Sequence, residues 1–281
     1  LKNSFHKLQI LPISVKKTHL GKVRVKAYER RHYTPATRQA QLAAIAECGI
    51  LTVRRYHIVR LDVQAVRRLG SKDMSKTNEQ VKLLVATNNT DKLKEYRHLL
   101  RDLPLEITSL GEEGINFEPE ETGVTFEENA ILKASAFAER SGLLTLADDS
   151  GLEIDKLGGA PGVHSARYGD TRRGEDVQRY ELVLRQLVGV PRAERTARFR
   201  CVVALATPEG QVKTAEGTIE GVIAIEPRGE HGFGYDPIFF IPKFDCTMAQ
   251  LSPETKNSIS HRAAAVRAAL PTIWRHVMGE A

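Results

Sequence analysis

From residue 81 onward, hydrophobic and polar positions recur with periods that predict strands and helices in turn. Val81 to Thr87, V-K-L-L-V-A-T, is mostly apolar and rich in Val and Leu, which predicts a strand. The polar run N-N-T-D-K follows, and Leu93, Tyr96, Leu99 and Leu100 then recur at helical spacing. Leu105 to Leu110 predicts a short second strand, and Gly111 to Gly123 an acidic, glycine-containing connection. Thr125 stands three residues before Glu128, the spacing of a capping box, ahead of a helix over Phe126 to Arg140 with apolar Phe126, Ala130, Ala134, Phe137 and Ala138. Lys133 sits among Ala130, Ala134 and Ala136, where its stem can lead the ammonium to solvent or into a cleft; periodicity does not choose.

The apolar run Leu143 to Ala147 predicts a strand that ends at Asp148 and Asp149, followed by an irregular loop with Gly151, Gly158, Gly159, Pro161 and Gly162. A helix is expected over Glu175 to Val188. Arg198 to Thr207 and Gln211 to Ile225 read as an antiparallel pair turned at Pro208-Glu209-Gly210, with Thr214, Glu216, Thr218 and Glu220 on a wet face. Ile238 to Ile241 reads as a strand, Pro253 onward as a loop ending at Ser260, and Arg262 to Val277 as a final helix. Alternating strands beside a strand–helix portion predict an α/β fold with a mixed sheet in two lobes.

Composition bounds this picture. A chain of 281 residues with 41% hydrophobic and 27% charged positions can build one large or two ordinary domains, and it holds no apolar run long enough to cross a bilayer. Three scattered cysteines, Cys48, Cys201 and Cys246, suggest neither a disulfide framework nor a thiolate metal site, and fit a reducing, cytoplasmic compartment. Charge divides the chain. Residues 1–73 hold 16 Lys+Arg against 4 Asp+Glu, whereas residues 74–281 hold 25 against 31. The basic part offers an apolar and basic alternation from Leu8 to Val25, a short helix from Pro35 to Cys48, and a helix from Val59 to Leu69 flanked by arginines. A nucleic-acid binder would carry such charge, but zinc spacing and an aromatic stacking series are missing from this part. Lys16, Lys17, Lys22, Arg24 and Lys26 also interrupt any secretory pattern. Residues 1–73 are therefore expected to be an extension outside the chemistry, with a basic accessory module as the alternative, and residues 74–281 the working domain.

Three places in that domain concentrate chemistry. Adjacent side chains on a strand point to opposite sides, so Asp148 and Asp149 cannot share one apolar layer, and at least one needs a cation or a solvated cleft. A strand end with an Asx-capped turn is the competing reading. The strand–loop–helix at 81–100 offers backbone N–H groups to an anion, with Lys92 at the helix start; it lacks the glycines of a Walker A loop, and a plain helix cap is the alternative. G-F-G-Y-D-P-I-F-F at 232–240 and S-H-R at 260–262 together supply an aromatic face, a carboxylate and donors, the groups needed to hold a purine ring.

The blocks A-T-N-N-T-D-K (86–92), E-E-T-G-V-T-F-E-E-N-A-I-L-K-A (120–134), A-D-D-S-G-L (147–152), L-G-G-A-P-G-V-H-S-A-R-Y (157–168), G-F-G-Y-D-P-I-F-F and S-H-R occur in an order that closely resembles the inosine triphosphate pyrophosphatase family, bacterial branch. The resemblance covers Val81 to the C-terminus. It implies an elongated mixed sheet with flanking helices in two lobes around a nucleotide cleft, Mg²⁺ as cofactor, a homodimer, and hydrolysis of ITP, dITP and XTP to monophosphate and pyrophosphate. By the same resemblance Asn89, Lys92 and Lys133 would meet the phosphates, and Thr87, Asn88 and Ser150 would belong to the substrate site. Glu121 and Asp148 would hold the metal, and Asp149 would deprotonate the attacking water or join them as a ligand. Phe233 and Tyr235 would pack around the purine, with Asp236 and the Ser260–His261–Arg262 segment reading its edge, and Gly234 and Lys256 would belong to the substrate site. Donors toward O6 and an acceptor for N1–H would favour hypoxanthine and xanthine over adenine. Two positions depart from the family pattern: His164, where tyrosine is common, and Asp91, where glycine is common.

Overall fold

The computed structural model describes residues 80–279 apart from Arg173, together with the backbone of two short strands near the N-terminus. The chain divides into two units, Leu1–Met74 and Ser75–Ala281. In the first, β1 (Ser14–Lys17) and β2 (Val23–Lys26) pair antiparallel with Ser14 opposite Lys26, inside the expected Leu8–Val25 alternation or at its edge. The helices expected over Pro35–Cys48 and Val59–Leu69 lie outside the described residues.

The second unit is a mixed α/β structure on one seven-stranded sheet. In chain order it comprises β3 (Val81–Val85), α1 (Thr90–Leu100), β4 (Leu105–Ser109), α2 (Phe126–Ser141), β5 (Leu144–Ile154) and α3 (Asp176–Gln186). It continues with β6 (Thr196–Ala206), β7 (Val212–Ile223), β8 (Phe239–Ile241), β9 (Cys246–Thr247), α4 (Pro253–Ile259) and α5 (His261–Met278). The strand order is β4-β3-β5-β6-β7-β8-β9, with β3 parallel to both β4 and β5 and the remaining pairs antiparallel.

Alternation along the strands divides the core. Leu83, Val85, Leu146, Val203 and Leu205 pack with Tyr96 and Leu100 of α1 and with Ala265 and Ile273 of α5. Leu84, Ala147, Val202 and Ala204 form a second cluster with Phe126, Ala130, Ala134 and Phe137 of α2. A third cluster gathers Leu152, Ile154, Phe199, Ile223 and Phe239 against Val183 of α3 and the following Leu187. The capping box is present, with Thr125 and Glu128 each accepting from the other's backbone, and Gly142 closes α2 in the left-handed region at φ 68°. Thr214, Glu216, Thr218 and Glu220 are exposed, as their alternation predicts.

Two expectations are corrected. The strand bearing the aspartates does not end at them: β5 pairs with β6 without a break from Thr145↔Ala206 to Ile154↔Ala197. The ladder to β6 supplies the hydrogen bonds that a D-D-S-G turn would otherwise need, and Leu152 and Ile154 resume the apolar alternation beyond it. Gly151 is required within that strand, because a Cβ there would lie 2.4 Å from both the Gly162 carbonyl oxygen and Ser165 Oγ. Residues 253–259 are helix, not loop; Ser252 caps α4 by accepting from the Thr255 N–H, and Pro253 enters its first turn with φ already set.

One edge of β5 positions the site. β3 pairs with it only from Leu83↔Leu144 to Val85↔Leu146, with one further bond from the Ala86 N–H to the Leu146 carbonyl at 2.8 Å. The next cover comes at Leu152, whose N–H donates to Ser165 Oγ at 2.9 Å, so the edge opens across Asp148, Asp149 and Ser150. β3 is followed by β4 on one side, and the chain then crosses to β5 on the other, so this gap is the point where the strand order reverses and ligand crevices form.

α5 reaches the gap because it lies directly on β7, where a Cβ at Gly217 would sit 2.2 Å from the Ala265 nitrogen and 2.3 Å from the His261 oxygen. Gly217→Ala is expected to destabilise the fold by about 2 kcal/mol or more through overpacking against backbone. A lowered urea midpoint checks it, and an unchanged midpoint would contradict this packing.

Candidate active site

The opening beside β5 leads into a cavity of about 520 Å³ bounded by the β3–α1 turn, α2, β5, the start of α3, the 233–236 loop and the start of α5. At one end Thr87, Asn88, Asn89 and Lys92 line it. Asn89 is the cap of α1, its Oδ1 accepting from the N–H groups of Asp91 at 2.9 Å and Lys92 at 3.0 Å, while its own N–H donates to Thr87 Oγ1. The carboxylate of Asp91 is held by Lys94 at 2.9 Å on the outer side of the helix.

The two aspartates are buried on opposite faces of β5. Asp148 belongs to the α1 and α5 side, where Lys92 Nζ lies 2.8 Å and Arg262 Nη2 3.6 Å from its Oδ2. Asp149 belongs to the α2 side, where Lys133 Nζ donates to Oδ1 at 2.9 Å and Asn129 Nδ2 to Oδ2 at 3.3 Å. The ammonium of Lys133 therefore faces the cleft, and it also bonds Glu121 Oε1 at 2.9 Å; Glu121 Oε2 meets Arg167 at 3.3 Å. Glu121 thus groups with Asp149 around one cation, and Asp148 stands apart on the other face.

These surroundings drive the two carboxyls apart. Burial pushes Asp148 up, but Lys92, Arg262 and Lys133 together outweigh it and hold Asp148 well below the ordinary range. For Asp149 burial wins over Lys133, and its pKa is raised. Lys133 is opposed by burial yet raised on balance by Asp149, Asp148 and Glu121, so it remains charged. Neighbouring carboxyls with opposed shifts in a cleft are what acid–base work at a single centre requires.

At the other end Phe233 lies under two cations, with Lys256 Nζ 4.4 Å and the Arg262 guanidinium 5.8 Å from its ring centre. Asp236 is buried, its Oδ2 accepting from Lys256 Nζ at 2.6 Å and from the Phe233 N–H at 2.9 Å. Lys256 also meets Glu95 at 2.8 Å, and Glu95 in turn pairs with Arg262, which donates to Ser150 Oγ at 3.1 Å. Tyr235 is chiefly a core residue, its hydroxyl donating to the Ser165 carbonyl at 2.9 Å. His261 stacks on Phe199 at 4.8 Å, with Nδ1 buried and unpartnered. Burial together with Arg262 and Lys256 keeps its pKa well below the usual value, so the ring is neutral.

Sequence-predicted residues are thus brought to one cavity with few exceptions. Ser260 is fully buried, does not line it, and caps α5 by accepting from the Ala263 N–H. Asp236, expected to read the base edge, lines the cavity, and its Oδ2 holds Lys256 and the Phe233 N–H. The sequence reading did not identify Glu95, Asn129, Ser165, Arg167 or Asp176. Glu95 had a faint signal, a charge beside Tyr96 on a helix whose apolar face is buried; its partners lie on α4 and α5, far along the chain.

The family model described as the Ham1 family matches residues 83–272. A dITP/XTP pyrophosphatase of Bacillus subtilis (strain 168) is 51% identical over 184 residues, 66% of this chain and 92% of that protein. The enzyme of the same name from Desulforamulus reducens is 51% identical over 195 residues, 69% of this chain and 96% of its own length. The solved structure of a HAM1 protein from Coxiella burnetii superposes with a TM-score of 0.63 at 43% identity, covering 70% of this chain and all of that one. A family match over residues 83–272, and relatives half identical across nearly their whole length, place the chain in the Ham1 family.

Proposed function

We propose that this chain hydrolyses the non-standard purine nucleoside triphosphates ITP, dITP and XTP to the monophosphate and pyrophosphate. The observation that carries the reading is the pair Asp148–Asp149 at the open edge of β5, with pKa values shifted in opposite directions and each bound to a lysine. Its relatives' activity as dITP/XTP pyrophosphatases supports the substrate class. Lys92 and Lys133 stand at the phosphate end, where they would offset the charge of a triphosphate and of the departing pyrophosphate. Asp149, buried and more basic than an ordinary aspartate, would take the proton of the attacking water.

Magnesium fits the donors at one point. Among the described residues no group of three or more His, Cys, Asp or Glu side chains is arranged to hold a metal. Glu121 Oε1 and Asp149 Oδ1 nevertheless converge on one cation, the Lys133 ammonium, at 2.9 Å each. Two carboxylates plus substrate phosphates are a donor set that suits this hard cation, which retains several waters. Glu121 and Asp149 would hold it, with Lys133 moving aside to the phosphates; Asp148, tied to Lys92 and Arg262, would orient those side chains in place of the ligand role that the resemblance implies. When bound, Mg²⁺ would supply charge neutralisation and a more acidic water.

At the base end, Phe233 supplies a stacking face and the neutral His261 and Arg262 supply edge contacts. Nδ1 of His261 and Nε of Arg262 are buried without hydrogen-bond partners in residues that line this end. An adenine, with donor and acceptor reversed, would leave polar groups unpaired. A cytoplasmic homodimer in which residues 1–73 play no chemical part completes the reading. Among the described residues no helix is long and apolar enough to cross a membrane.

Residues 74–281 with Mg²⁺ are expected to release pyrophosphate from dITP and XTP at least about 100-fold faster than from ATP. Orthophosphate as product, or silence until residues 1–73 are restored, would refute the assigned bond or the domain boundary. Asp149→Asn should keep the thermal midpoint within a few degrees while kcat drops by about 100-fold or more; a kcat near wild type would remove Asp149 from the mechanism.

A further inference from the structure

The turn that presents Phe233 contains two glycines in the left-handed region, Gly232 at φ 79° and Gly234 at φ 64°. Glycines permit many backbone shapes, so this one must be held by anchors. Asp236 accepts the Phe233 N–H at 2.9 Å from within the turn, and Tyr235 ties the turn to Ser165. A further anchor comes from α3: the Gly234 N–H donates to Asp176 Oδ2 at 2.6 Å. Asp176 lies in the first turn of α3, and its other oxygen accepts from Arg179. Arg179 is 5% exposed and fixes the preceding segment as well, donating to the Arg172 carbonyl at 2.7 Å and to Thr171 Oγ1 at 3.3 Å. Thr171, Gly174, Asp176 and Arg179 line the cavity, as do Phe233 and Gly234.

We infer that Asp176 is a positioning residue for base recognition: by bonding the Gly234 N–H it clips the aromatic turn to α3 and sets the Phe233 ring at the distance a stacked purine needs. The inference rests on the purine reading given above. Asp176 has no bond to Asp148, Asp149, Lys92 or Lys133, so losing the clip widens the base end and leaves the phosphate chemistry in place. Weakened binding with an unaltered chemical step raises KM and spares kcat.

The test uses full-length protein with dITP and Mg²⁺, and follows hydrogen exchange over residues 233–236 beside steady-state kinetics. Asp176→Ala should speed exchange of the Gly234 amide by at least about tenfold and raise KM by about tenfold, with kcat within about threefold of wild type. A second pair is made in an Arg179→Met background, where the cation that would repel an asparagine amide is gone. There Asp176→Asn, which keeps an acceptor for Gly234, should hold KM and exchange near those of Arg179→Met alone, whereas Asp176→Ala should lose both. A purely structural role would lower the urea midpoint and kcat together and would not separate Asn from Ala. Unchanged exchange in Asp176→Ala overturns the clip, and faster exchange with unchanged KM overturns its role in recognition. Wild-type protein inactive on dITP and XTP would overturn the purine reading instead, and the exchange data would still decide the clip.

Discussion

Everything at this site depends on placing two adjacent carboxylates out of water on a strand that has lost one neighbour. A strand sends Asp148 and Asp149 to opposite faces, so one layer of cations cannot serve both. The fold meets this by flanking β5 with α1 and α5 on one side and α2 on the other; α1 and α2 supply lysines at 2.8 and 2.9 Å, and α5 supplies Arg262 at 3.6 Å. Since β3 stops pairing at Leu146, both aspartates still reach one open edge. Burial costs the charged form of each, and the number of nearby cations decides the balance: Lys92, Arg262 and Lys133 act on Asp148, whereas Asp149 is raised despite Lys133 and Lys92, with Glu121 opposing them.

A chain of alternating charges joins the two ends of the cavity. It runs from Asp236 to Lys256, Glu95, Arg262, Asp148 and Lys92, crossing α1, α4, α5 and β5. Buried ion pairs of this kind are weak evidence for stability, because desolvation offsets much of their attraction. Their value here is geometric. Arg262 touches the group that holds Lys92 and also lies over Phe233, so the base end and the phosphate end share a side chain. Arg262 Nε and His261 Nδ1 are left without hydrogen-bond partners at that junction.

Local signals were read well where local chemistry decides. The capping box at Thr125 and Glu128, the strand–loop–helix of 81–100 and the wet face of β7 each follow from spacing within a few residues. The same kind of reading failed where a partner strand overrules local preference. D-D-S-G carries turn residues, and only the ladder to β6 makes it a strand; S-P-E-T, by contrast, is itself a local helix start, with Ser252 as cap and Pro253 in the first turn of α4. Among site residues, motif position located the aspartates, Lys92, Lys133, Phe233 and Arg262, but it did not separate Ser260, a buried cap, from its neighbours His261 and Arg262 in the cavity.

The sequence by itself determined the mixed α/β class, the element order from Val81 onward, the family resemblance and the presence of a carboxylate pair with lysines at hand, because periodicity and motif spacing are properties of neighbouring residues. Only the tertiary structure decided which lysine serves which aspartate, that Glu121 groups with Asp149 through Lys133, and that Glu95 and Asp176 belong to the site at all. Those outcomes are set by contacts between segments tens to more than a hundred residues apart, such as Glu95 with Arg262 and Asp176 with Gly234, whose distances depend on strand order and helix placement and leave no local trace.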